Sequence, residues 1–145
     1  MDQLGVAVAL SAGMDAAIVA SAFGVLGAME AAIADTARSL NDDVRAGGTS
    51  YADMLAALEQ ARSAALLGLA SLSQPDGRQR AYATSATKAV VVRASNLVCG
   101  QASRLLGGMG VPEDGRMDHF FNFVAATNSL RGSLDFHLSR MTILM

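Results

Sequence analysis

The chain has 145 residues, an apolar fraction of 52%, 17% charged residues and a net charge of −2. Such a chain makes one domain, residues 1–145, and buries roughly 70% of its unfolded surface. The absence of a basic run argues against a nucleic-acid partner. One cysteine, Cys99, excludes an intramolecular disulfide and fits a reducing, cytoplasmic setting.

Aromatic residues are only 5% and Trp is absent. Ala, Leu and Met favour helices, whereas sheets want β-branched and aromatic side chains. An all-α fold is therefore expected. The first helix spans residues 3–40, with Gly13 inside it as a possible bend at a cost of about 1 kcal/mol. Its uncharged run, residues 16–29, lies between Asp15 and Glu30 and reads as too short to cross a bilayer. No basic stretch precedes Leu4, so no signal peptide is expected. Ala20, Gly24 and Ala28 recur every fourth residue, and close packing in a bundle core is their simplest reading.

Asn41, Asp42, Asp43, Gly47 and Gly48 read as a polar loop, with Thr49 or Ser50 capping a second helix that ends near Ser73. Gln74-Pro75-Asp76-Gly77 is a turn signal. A third helix is expected over residues 78–106, stopping at Gly107-Gly108. After a turn over residues 112–115, a fourth is expected over 116–140. Short loops between long helices favour an up-down four-helix bundle. The first helix is apolar on nearly every face, which four helices cannot cover, so self-association or a partner subunit is expected.

Chemistry-bearing residues are few. His119 and His137 are eighteen residues apart. On one continuous helix they share a face but stand about 27 Å apart. They cannot share a metal, no Cys/His cluster lies elsewhere, and no metal site is expected. Each histidine reads as a hydrogen-bonded packing residue, and Cys99 as a small buried hydrophobe. Gly107-Gly108-Met109-Gly110 lacks the Lys-Ser/Thr of a P-loop. It reads as a helix C-cap and turn, or as a place where a ligand or backbone comes close.

These stretches together resemble the C-terminal helical domain of the acyl-CoA dehydrogenase superfamily. Residues 52–63, ADMLAALEQARS, are similar to that family's "ADM…LEQARS" helix, and 85–89, SATKA, to its "SAAK" element. Glu113-Asp114 with His119-Phe120-Phe121 resembles its "EE…GHYFK" region, and residues 130–138 resemble its "LFGDADHHL" ending. Gly107-Gly108-Met109-Gly110 resembles the turn that lies beside flavin. The set is most similar to small subunits of heteromeric dehydrogenases of the pimeloyl-CoA and steroid side-chain-degrading types.

The departures matter as much. The resemblance aligns residues 37–43 with a flavin-contacting Arg-x-Gln-Phe-Gly motif, and no Phe-Gly is present. A family Gln is Arg104, and a frequent His is Leu106. The catalytic Glu of a Glu-Gly-Thr motif falls on Arg131, ahead of Gly132-Ser133. A guanidinium is a permanent cation and cannot abstract a proton.

The resemblance thus implies a bundle like the dehydrogenase C-terminal domain, in a homo-oligomer or beside a full-length dehydrogenase-type subunit. It implies an auxiliary or non-catalytic role, with no cofactor in isolation. FAD at an interface would lie near Arg104, Gly107, Gly108 and Gly110. The rival reading is a flavin-independent enzyme or small-ligand-binding bundle, with Arg131, Asp118 and His119 as candidate catalytic residues and Arg104 beside them. Whether any reaction is catalysed stays open at this point, and no membrane partner is expected.

Overall fold

The computed structural model describes residues 3–40, 44–107 and 116–145. They form α1 (Gln3–Leu40), α2 (Val44–Ser71), α3 (Gly77–Gly107), α4 (Arg116–Ser129) and α5 (Leu134–Leu144), and no strand occurs among the described residues. The fold is all-α, as composition requires.

In α1 the buried positions Asp15, Ile18, Val19, Ala22, Val25, Leu26 and Met29 recur at steps of three and four, the period of one helix face. α3 is the central rod and packs against each of the other four helices. Its Val91, Ala94, Val98 and Ala102 meet Met29 of α1, Met54 and Ala61 of α2 and Val124 of α4 in one apolar core. The α2–α3 contact is close because α2 offers Ala57, Ala61 and Ala65. At Gly68 a Cβ atom would lie 2.4 Å from Thr87 Oγ1, so only glycine lets the rods meet there. The Thr87 hydroxyl donates to the Ala64 carbonyl at 2.9 Å across the same seam.

The turn before α3 is as expected. Asp76 Oδ1 accepts from the Arg78 amide at 2.8 Å and satisfies one of the free donors at the helix start.

Four expectations are corrected. α2 begins at Val44, so Gly47, Gly48, Thr49 and Ser50 lie inside the helix rather than in a loop and cap. Local propensity of about 1 kcal/mol per glycine is small beside the packing of the helix that follows. α1 runs unbroken through Gly13. Of the stripe Ala20, Gly24 and Ala28, Ala28 packs against the core, whereas Ala20 and Gly24 are exposed and Gly24 faces the Phe123 ring of α4. Finally, the helix expected over 116–140 is two helices. Arg131 has φ 60° and Gly132 φ 107°, both in the left-handed region that ends a right-handed helix. Ser133, extended at φ −71° and ψ 170°, then caps α5 by accepting from the Phe136 amide. α4 lies against α1 and α5 against α3, so the pair forms the fourth rod of the bundle.

By length and composition alone α1 is apolar enough to cross a membrane, its most apolar 18-residue stretch having a mean hydropathy of 1.9, although its uncharged run is limited to residues 16–29. The same test passes the core helix of a bundle, and the stripe from Ile18 to Ile33 is buried against its neighbours here.

Candidate functional site

The first half of α3 carries a polar face: Arg80, Thr84, Ser85 and Lys88 are all buried. Buried polar groups need partners. α1 supplies Asp15, with no exposed surface, and α5 supplies His137, also fully buried. Arg80 Nε donates to Asp15 Oδ2 at 3.1 Å, and the Thr84 hydroxyl to Oδ1 at 3.0 Å. An Arg140 NH2 group of α5 reaches the same Oδ1 at 3.4 Å.

A second line of bonds runs from this cluster to the α4–α5 junction. Arg140 NH1 donates to Ser85 Oγ at 3.3 Å, and Ser85 Oγ lies 3.3 Å from His137 Nδ1. His137 Nε2 is 3.0 Å from the Arg131 carbonyl. A carbonyl only accepts, so Nε2 carries the proton and Nδ1 accepts from the serine hydroxyl. The chain of bonds pins the left-handed Arg131 backbone to α3. Lys88 Nζ donates to the Thr127 carbonyl at 2.7 Å and holds the last turn of α4. Burial, and then the Arg131 charge, push the Lys88 ammonium below its ordinary pKa.

Burial holds the His137 imidazole below its ordinary pKa of 6.5, with Lys88 and Arg140 lowering it further and the Arg131 carbonyl opposing. Because the folded value is depressed, the unfolded chain takes up the proton first as pH falls. The stabilising contribution is fully present above about pH 6.5 and is lost as pH drops through the folded value. The melting temperature is therefore expected to fall as pH drops below about 6.5. His137→Gln should melt lower at neutral pH but with a flatter profile. Parallel profiles for the two proteins would refute this.

Beside the junction lies a cleft of about 450 Å³, lined by Ser11, Met14, Ile18, Arg131, Phe136 and Arg140. The Arg131 guanidinium makes no hydrogen bond or ion pair with any described residue. Of the sequence candidates, only Arg131 lies here. Asp118 and His119 are exposed in the first turn of α4, about 20 Å from Arg131 along a 14-residue helix. His119 is thus not a packing residue, while His137 is. The helix break also removes the shared face expected for the two histidines. Arg104 is exposed in the last turn of α3, and Gly107 is that helix's final residue. Gly108 and Gly110, like Glu113 and Asp114, lie outside the described residues. The four candidates of the rival pocket are therefore not brought together.

Cys99 is half-buried, and burial pushes its thiol up to about 11, which favours the protonated form at neutral pH. Among the described residues no three His, Cys, Asp or Glu side chains gather as a metal set.

Sequence reasoning passed over Asp15, Arg80, Lys88 and Arg140. A signal was present for two of them. Asp15 stands three residues before Ile18 on the core stripe of α1, and Lys88 stands next to Ala89 and Val90 in an apolar stretch. A charge on a core face needs a buried partner.

An all-α helical bundle is the architecture the sequence resemblance implies, and the break in its last rod at Arg131-Gly132 adds to that expectation. The family model described as acyl-CoA dehydrogenase, C-terminal domain, matches residues 4–143, and the chain belongs to that family. It matches no curated protein and no solved structure.

Proposed function

We propose that this chain is an auxiliary, non-catalytic subunit of an acyl-CoA dehydrogenase-type assembly, similar to the small subunits of the heteromeric enzymes. One observation carries the reading. The position that the resemblance aligns with the proton-abstracting carboxylate of many relatives is Arg131, whose backbone is fixed by His137 and whose guanidinium borders the cleft. Abstraction of a proton next to a thioester carbonyl needs a base within hydrogen-bond reach of the substrate. Arg131 supplies a cation instead.

A bound flavin would accept a hydride in such an assembly. Of the residues assigned to it, only Arg104 has a described side chain, and that side chain is exposed. A flavin would belong mainly to the partner. The exposed apolar side chains Val8, Leu10 and Met14 of α1, and Leu66, Leu67 and Leu69 of α2, support association with another subunit.

Three measurements test the reading. The isolated chain is expected to purify colourless and to reduce no electron acceptor with an acyl-CoA. Arg131→Glu should not create that activity, because the hydride acceptor is still missing. Light scattering should show at least a dimer, or a complex when a full-length dehydrogenase-type subunit is added. A soluble monomer that takes no such partner, or stoichiometric FAD with turnover in the isolated chain, would overturn it.

A further inference from the structure

α5 is held to the bundle differently from the other helices. His137 is its only buried side chain, and no residue of α5 belongs to the apolar core that α1, α2, α3 and α4 share. Its apolar side chains are partly buried at most, so little apolar surface secures it. Polar bonds do most of the holding. His137 Nδ1 accepts from Ser85, Arg140 reaches Asp15 and Ser85, and Arg78 Nε donates to the Leu144 carbonyl at 2.8 Å. At its other end α5 joins α4 through residues 130–133, where Gly132 has φ 107°. Glycine turns about its backbone with less steric cost than any other residue, which makes this a joint.

The one buried side chain is also one that titrates near neutral pH. From α3 His137 faces Ser85 and the Lys88 charge, from its own helix the Arg140 charge, and from the junction the Arg131 carbonyl. The carboxylate of the network, Asp15 of α1, meets α5 through Arg140 and not through His137. Asp135 of α5 is exposed. A proton on Nδ1 makes both ring nitrogens donors. The fully buried Ser85 hydroxyl then meets donors from His137 and Arg140, and its own proton loses its acceptor. The docked ring resists the proton through burial and then through Lys88 and Arg140, whereas a ring released to water takes it at its ordinary value of 6.5. Docking is thus favoured above about pH 6.5 and weakens as pH falls below it.

We propose that α5 is an acid-released latch: when His137 takes up a proton, α5 leaves α3 by turning about Gly132, while α1, α2 and α3 stay packed. Phe136 and Arg140 leave with it, and the cleft beside Arg131 loses one wall. This is a local opening, distinct from unfolding of the whole chain. It asks nothing of a partner subunit, so its failure and that of the subunit reading are separate results.

Hydrogen exchange of the full chain, read by mass spectrometry at about pH 7.5 and about pH 5 and corrected for intrinsic exchange rates, tests it. One proton shifts the docking equilibrium by at most about tenfold per pH unit, so α5 amides should lose at least about fivefold in protection on acidification. Amides in the core of α1, α2 and α3 should keep theirs. His137→Gln should expose α5 at both pH values, with no further loss in acid. The only other histidine is the exposed His119, and His119→Gln should respond as the parent does. The parent alone already decides the main point. Equal loss in α5 and the core, or none in α5, would overturn the latch. An acid response that persists in His137→Gln, or one that vanishes in His119→Gln, would overturn the assignment to His137.

Discussion

Asp15→Asn is expected to lower the unfolding free energy by about 3–5 kcal/mol, the usual cost of removing one partner from a buried ion pair. Asp15 is fully buried and accepts from three side chains on two other helices. The asparagine keeps an acceptor for Thr84, but its amide group turns donors toward guanidinium donors. Arg80, only 8% exposed, then stands without a counter-ion. A domain of this size is stable by about 5–15 kcal/mol, so the loss is a large fraction of the whole. Urea unfolding of the two proteins measures it directly. A difference below about 1 kcal/mol would mean that water screens the cluster as it screens a surface pair. The exposed Arg62 pairs with Glu30 and Glu59 illustrate that weaker kind of contact.

The contrast between α1 and the α4–α5 rod explains what could be read from the sequence. The run of helix-forming residues located α1, but a helix apolar on nearly every face hid which side is buried, and the stripe of Ile18, Val25 and Met29 emerged only with the packing. The Pro75-Asp76-Gly77 turn was legible because its chemistry is contained in a few residues. The break at Arg131 was not, although Gly132-Ser133 carries a helix-stop and a helix-start signal side by side. Flanking helical pattern outweighed two residues. The polar cluster was still less legible. Asp15 and Arg80 are sixty-five positions apart, and Asp15 and Arg140 a hundred and twenty-five. Only the packing of α1, α3 and α5 brings them together. The candidates Arg104, Asp118, His119 and Arg131 belong together only in the rival reading, as the lining of a new pocket. The length of α4 keeps Arg131 away from Asp118 and His119.

Gly132→Ala is the second large expected effect, and it tests the junction itself. At φ 107° an L-residue is strained by about 1–3 kcal/mol however much room it has. Room is also short. A Cβ atom would lie 2.5 Å from Phe136 Cδ1 and 3.0 Å from His137 Nε2. Phe136 is 54% exposed and can swing away at little cost. His137 is fully buried between Ser85 and the Arg131 carbonyl and cannot. The backbone strain and the displaced His137 bond therefore decide the outcome, at about 2–4 kcal/mol together. Urea denaturation of the two proteins measures the loss. If Gly132→Ala is as stable as the parent, the junction accepts another backbone, and the placement of Arg131 beside Arg140 loses its structural cause.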